Sequence, residues 1–151
     1  YEISGKKALI LGAGGVVPSI IFALNKMKVS KIILTNRTRD KADNLSKIFN
    51  NLQIINWGET SNFDLIINAT SVGLKENENI GLDFLRMKKN KFFYDIIYNP
   101  KETNFLKMAK ISGNKIENGL MMFIFQAQKS FQKWHNILPE INDEVIGLLD
   151  G

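Results

Sequence analysis

Two clusters of residues could do chemistry on an anionic ligand. Gly12-Ala13-Gly14-Gly15-Val16-Val17-Pro18 directly follows the apolar run Lys7–Leu11. Glycine at 12 permits a tight turn, and glycine at 14 lets a bulky anion approach the backbone. The amides of Ala13, Gly15 and Val16, at the opening of a helix, would point at that anion, helped by the helix dipole. This pattern predicts a pyrophosphate cradle. The competing reading is a turn in which the glycines serve only the fold. The second cluster, Asn36-Arg37-Thr38-Arg39-Asp40-Lys41, closes the apolar run Lys31–Thr35. A guanidinium can fork onto a phosphate and stack on a purine. Thr38 can cap the following helix and donate its hydroxyl, and Lys41 lies one turn on. A merely solvated basic helix start is the alternative, but cations are unfavourable at a helix N-terminus.

These two clusters belong together. A dinucleotide without a 2′-phosphate calls for a carboxylate about 20 residues past the glycines, to accept from the ribose hydroxyls. Asn36 and Arg37 stand there instead, which predicts NADP(H) over NAD(H). Other run ends carry polar groups too. Asn68-Ala69-Thr70-Ser71-Val72-Gly73 offers small hydroxyls for close contact with a ribose or nicotinamide, or for capping a tight turn. Tyr98, after Tyr94-Asp95-Ile96-Ile97, puts a phenol at the same edge. Gly119, Met122 and Gln126 share one face of a helix. Gln126 sits in an apolar run, so it should be buried with a partner or aimed at a polar ligand. Leu120, Phe123, Ala127, Phe131 and Trp134 form the neighbouring stripe, read as core. His135 reads as a surface residue.

Short β-branched runs alternate with amphipathic stretches, and this order positions the clusters. Strands are expected at 7–11, 31–35, 52–55, 64–68, 91–97 and 114–116, and helices at 15–28, 38–50, 102–111, 119–136 and 142–149. A short helical turn is expected near 82–87, and Asn142 is placed as an N-cap. The alternation specifies an α/β fold: a Rossmann-like, doubly wound, parallel six-stranded sheet with helices on both faces. Ligands of such sheets bind at the carboxyl edge.

Composition narrows the chemistry. The chain has 151 residues and no cysteine, which excludes disulfide scaffolds, thiolate metal sites and thiol catalysis. One histidine argues against a Ser-His-Asp triad or a multi-histidine metal site, and no metal is expected. The longest apolar run, Leu120–Phe125, is too short for a membrane span. The net charge of +5 reads as a lysine-rich solvated surface, because no arginine-rich stripe interleaved with aromatics accompanies it. Neither nucleic acid nor membrane is an expected partner. The chain opens on Tyr1 with nothing resembling a targeting segment, so it reads as cytoplasmic and as part of a longer protein.

Taken in order, Gly12-Ala13-Gly14-Gly15, Asn36-Arg37-Thr38, Asn68-Ala69-Thr70-Ser71-Val72-Gly73, Asp95-Ile96-Ile97-Tyr98-Asn99-Pro100, Asn118-Gly119-Leu120, Gln126-Ala127 and Phe131…Trp134 resemble the NADP-binding domain of the shikimate dehydrogenase family. The resemblance covers nearly the whole chain. It implies reduction of 3-dehydroshikimate to shikimate with NADPH, on the route to chorismate and the aromatic amino acids. It implies that Gly12, Ala13, Gly14, Gly15 and Val16 hold the pyrophosphate, and that Asn36, Arg37, Thr38 and Lys41 hold the adenosine phosphate. Thr70, Ser71, Ile96 and Gly119 would line the nicotinamide half, and Tyr98 and Gln126 would reach the substrate. Residues 1–138 would form the NADP-binding domain. Residues 139–151 would carry a helix that packs on an N-terminal substrate domain absent from this chain.

That absent domain would supply the Lys–Asp pair that moves the proton, so no catalytic residue is assigned here. Val17 and Pro18 depart from the small and basic residues usual after the glycines, and bulky Val17 should hold its helix slightly off the sheet. Met121 replaces a small residue. A related quinate-type dehydrogenase or a non-catalytic NADP-sensing module would share these motifs. The oligomeric state is left open, a homodimer included.

Overall fold

The computed structural model describes residues 1–60, 62–83 and 89–149. Its strands are β1 (Lys7–Leu11), β2 (Lys31–Thr35), β3 (Leu52–Ile55), β4 (Leu65–Asn68), β5 (Phe92–Asp95) and β6 (Lys115–Glu117). They form one all-parallel sheet in the order β3-β2-β1-β4-β5-β6. The strands are β-branched and leucine-rich because both faces are covered. Period-two alternation divides them between two cores. Ala8, Ile10, Ile32, Leu34, Leu65 and Ile67 face α1 (Val17–Lys26) and α2 (Arg39–Ile48). Leu9, Leu11, Ile33, Ile66 and Phe93 face α3 (Asn104–Ile111). Helices α4 (Leu120–His135) and α5 (Asp143–Leu149) complete the chain. The expected six-stranded, doubly wound sheet is the architecture found.

Register aligns the strand ends. Leu11 pairs with Thr35 on one side and with Asn68 on the other, and Asn68 pairs with Asp95. The turns starting at Gly12, Asn36, Ala69 and Ile96 therefore leave one edge side by side. Strand order reverses between β1 and β4, and a crevice opens at that point.

A buried polar network shapes that edge. Asn68 and Asp95 are fully buried. The Asn68 amide donates to Asp95 Oδ1 at 3.0 Å and to the Val72 carbonyl at 3.1 Å. Asp95 also accepts from the Ile97 amide at 3.0 Å and from the Thr103 hydroxyl at 2.7 Å. Thr103 in turn caps α3 through the Leu106 amide. Burial raises the Asp95 carboxyl above the usual carboxylate range, against the pull of Thr103, Ile97 and Asn68.

Element bounds differ from expectation at the margins. Helix α1 begins at Val17, not 15, because Gly14 and Gly15 belong to the turn. Val17 is fully buried among the residues facing α1, so the bulkier side chain is absorbed into the core. Strand β6 starts at Lys115, since Asn114 accepts from the Lys91 amide and donates to the Ala109 carbonyl. Asn142 caps α5, accepting from the Val145 amide at 3.0 Å. The turn expected near 82–87 falls mostly outside the described residues.

The largest correction concerns α4. Only Leu120 and Ile124 are buried on it, while Phe131 and Trp134 are exposed, the latter at 78%. Gln126 is exposed as well. The cause is length: a sixteen-residue helix runs about 24 Å, and β6 beside it has three residues, about 10 Å. The C-terminal half of α4 outruns β6, so its apolar stripe is left uncovered among the described residues.

Removing the carboxylate would strand three donors in a dry interior. Asp95→Ala should cost about 3 kcal/mol of unfolding free energy in urea titration. Because the folded chain holds the Asp95 proton more tightly than the unfolded chain does, this group's contribution to stability falls as pH rises from the ordinary carboxylate range through the raised folded value. The stability advantage of the wild type over Asp95→Asn should therefore shrink as pH rises across that window and then level off. A gap that widens with pH would contradict the assignment.

Candidate functional site

The crevice is built from two hollows that meet at Gly14, Ala69, Thr70 and Ser71. One, of about 350 Å³, runs from Gly12–Gly14 to Asn36, Arg37, Thr38 and Lys41, with Trp57, Asn79 and Ile80 beyond. The other, of about 470 Å³, runs from Gly14–Val16 to Ile96, Tyr98 and Asn99, with Leu74 on its rim. Together they form one groove across the switch point.

The glycines have separable reasons. Gly12 has φ +108°, and a Cβ there would sit 2.7 Å from the Ala69 carbonyl oxygen, so only glycine lets the β1 and β4 turns touch. Cβ atoms at Gly14 and Gly15 would meet nothing within 4 Å, so the backbone there borders open groove. The amides of Ala13, Gly14, Gly15 and Val16 have no acceptor among the described residues. Four unsatisfied donors at the start of α1 fit the pyrophosphate cradle.

At the end of β2 the polar side chains sort into committed and open ones. The Asn36 amide donates to the Thr38 carbonyl at 2.7 Å and fixes the turn. Arg39 Nε donates to Asp43 and its Nη1 to Asn56, each at 3.0 Å. The Arg37 and Lys41 side chains have no hydrogen-bond or ion-pair partner among the described residues. Thr38 occupies the N-cap of α2 but makes no side-chain cap, contrary to the capping role expected of it, so its hydroxyl stays open to the groove. Thr35, just before Asn36, buries a hydroxyl that also lacks a partner. The Arg37, Thr38 and Lys41 side chains thus border the groove with polar groups uncommitted to the protein and open to a ligand.

Thr70 and Ser71 take opposite roles. The Thr70 hydroxyl donates to Asn68 Oδ1 at 2.7 Å and accepts from the Val72 amide at 3.1 Å, which is a turn-capping use of the side chain. Ser71 is exposed in the groove, and its hydroxyl has no partner among the described residues. Further along, Glu78 accepts from the Gly73 and Lys75 amides, which hold its carboxyl below the usual range and brace the loop carrying Asn79 and Ile80.

In the second hollow the Tyr98 ring stacks on Phe123 of α4, with centroids 4.6 Å apart. Tyr98 is thus aimed by packing from the helix that follows β6. Gly119 lies behind Ile96: a Cβ would overlap the Ile96 carbonyl, and the Gly119 amide donates to Ile97 O at 3.2 Å. Its need for glycine comes from close packing, and it does not line the groove. Gln126 is exposed and lines a separate surface hollow with Lys129 and Ser130, one helical turn beyond the Phe123 that stacks on Tyr98. His135 is exposed, its ring against Phe131.

Sequence reasoning overlooked Trp57 and the Asn68–Asp95–Thr103 network. Both left a trace: an aromatic inside the turn Asn56-Trp57-Gly58-Glu59, and an acid inside the otherwise apolar run of β5.

Comparison with known proteins bears on the same residues. The model of the shikimate/quinate 5-dehydrogenase family matches residues 1–108. The NADP(+) shikimate dehydrogenase of Pelagibacter ubique is 60% identical over 149 residues, covering 99% of this chain and 56% of that protein. The crystal structure of shikimate dehydrogenase from Aquifex aeolicus superposes with a TM-score of 0.85 at 36% identity, over 98% of this chain and 54% of that one. The Thermus thermophilus enzyme, crystallised with NADP(H) and shikimate, superposes with a TM-score of 0.81 at 29% identity, over 96% of this chain and 54% of that one. The chain spans about half the length of the curated relatives it matches. From strand order, groove and these matches alike, the chain belongs to the shikimate/quinate dehydrogenase family.

Proposed function

We propose that this chain is the NADP(H)-binding half of a cytoplasmic shikimate dehydrogenase, which reduces 3-dehydroshikimate to shikimate with NADPH on the route to chorismate and the aromatic amino acids. The observation that carries the reading is the pair of unpartnered cations, Arg37 and Lys41, at the end of β2. Asn36 and Arg37 stand where an NAD site would place a carboxylate, and Lys41 lies one turn on. The open amides from Ala13 to Val16 take the pyrophosphate. Asn36 and Thr38 shape the turn that carries Arg37, and Ser71, Thr70 and Ile96 border the nicotinamide half.

Bound NADPH supplies the hydride. This chain supplies position: it presents one face of the groove and, through Tyr98, one wall of the substrate site. As the substrate carbonyl gains charge, a proton must arrive from a general acid. Tyr98 is the one titratable side chain that lines the second hollow, and its phenol orients substrate. A Lys–Asp pair on the substrate domain, outside this chain, delivers the proton. The exposed stripe at Phe131 and Trp134, with Ile137, Leu138 and Leu148, is the surface that domain covers, and residues 139–151 dock α5 on it. Gln126, on the exposed part of α4, reaches the substrate only once the two domains close. Gly119 serves the nicotinamide half indirectly, by letting α4 approach the Ile96 backbone.

Calorimetric titration tests the cofactor assignment. NADP+ should bind the chain more tightly than NAD+, and Arg37→Ala should cost about 1.5–3 kcal/mol for NADP+, the worth of a charge-assisted contact, while barely changing NAD+. Equal affinity of the wild type for both cofactors would sink it. Incubated with shikimate and NADP+, the chain alone should produce no NADPH absorbance. Steady turnover would show that the proton-transfer group lies within these residues.

A further inference from the structure

Trp57 has no role in the assignment above, yet it lines the hollow that holds Arg37 and Lys41. Its turn is unusually well tied. The Glu59 amide donates to the Asn56 carbonyl at 3.1 Å, and Gly58 takes φ +87°, the positive value required at the third position of a type II turn. The Glu59 carboxylate returns the contact, accepting from the Asn56 backbone amide at 3.1 Å and from its side-chain amide at 2.7 Å. Asn56 Oδ1 then accepts from Arg39 Nη1 at 3.0 Å. Arg39 opens α2, the helix that Arg37 and Thr38 lead into and whose first turn carries Lys41. One hydrogen-bonded chain therefore fixes the Trp57 turn against the basic cluster.

We propose that the Trp57 indole is the stacking wall for the adenine ring of the bound dinucleotide, and that Arg39 acts as its positioning residue, not as a phosphate ligand. The inference rests on the NADP(H) reading. If Arg37 and Lys41 hold the 2′-phosphate, the purine on the same ribose must lie in the same hollow. There it needs a flat apolar face. Among the described residues Trp57 is the one aromatic side chain lining that hollow, and Val72 and Ile80 extend the apolar wall. Trp57 is partly buried against the core that faces α3, so one part of the indole is anchored while another borders the groove. Arg39 sits in the same basic run as Arg37, but Asp43 and Asn56 already occupy it.

The chain has two tryptophans, so Trp134→Phe leaves Trp57 as the sole indole emitter. In that background 2′,5′-ADP, the adenosine half alone, should quench the fluorescence with the same midpoint that calorimetry gives. Nicotinamide mononucleotide should not quench it. Trp57→Ala should weaken 2′,5′-ADP and NADP+ by the same factor, about 5- to 50-fold, and Trp57→Phe should recover most of the loss. Arg39→Met should weaken both ligands less than Trp57→Ala does and should keep the wild-type salt dependence of binding, which Arg37→Ala should reduce. Two results would overturn the proposal: 2′,5′-ADP binding without quenching, or Trp57→Ala and Trp57→Phe both binding it within twofold of the wild type. A wild type that binds neither NADP+ nor 2′,5′-ADP would defeat the cofactor reading itself, a separate outcome.

Discussion

The hydrogen bond between Asn68 and Asp95 holds the carboxyl edge of the sheet in shape. The two residues sit opposite each other at the last paired positions of β4 and β5, sealed from water. Neither can be left partly satisfied, because an unmade bond to a buried carboxyl or amide costs more than the bond itself contributes. The surrounding backbone must therefore bring donors and acceptors to them. Val72 is drawn in by its carbonyl, Thr70 by amide and hydroxyl, Ile97 by its amide and Thr103 by its hydroxyl. The two turns that border the groove are thus consequences of solvating one polar pair inside an apolar sheet.

The same economy separates engaged from open polar groups along the groove. Asn36, Thr70 and Arg39 look like ligand contacts by residue type, but their side chains are engaged with the protein. Arg37, Lys41, Ser71 and the amides of the glycine turn are not. Engaged groups set the distance between open ones. A rigid frame with a few unsatisfied donors loses little on binding, since the ordering was done at folding.

Much of this was legible in the chain of letters. Runs such as Lys7–Leu11 are apolar at every position but the first, which only a sheet buried on both faces tolerates. The glycines and the Asn36–Lys41 cluster fall immediately after such runs, where register was bound to place them together. What escaped was whatever depends on contacts distant in sequence. No local pattern says that Asp95 pairs with Asn68, 27 residues away, or that Arg39 reaches Asn56. The α4 stripe misled for a related reason: helical periodicity reports that a face will be covered, not which chain covers it.

That uncovered stripe also explains a division of labour. Phe131, Trp134, Ile137, Leu138 and Leu148 would be an aggregation hazard on a lone domain of this size. In the two-domain arrangement proposed here they have a second use. Tyr98 is aimed by Phe123, which lies on the same helix eight residues before Phe131. A domain seated on the distal half of α4 would push on the rod whose proximal half holds the substrate-facing phenol. In that arrangement cofactor grip would rest first on β1, β2 and the glycine turn, so changes at the glycine turn should act chiefly on cofactor affinity, and changes along the distal half of α4 on how substrate is held.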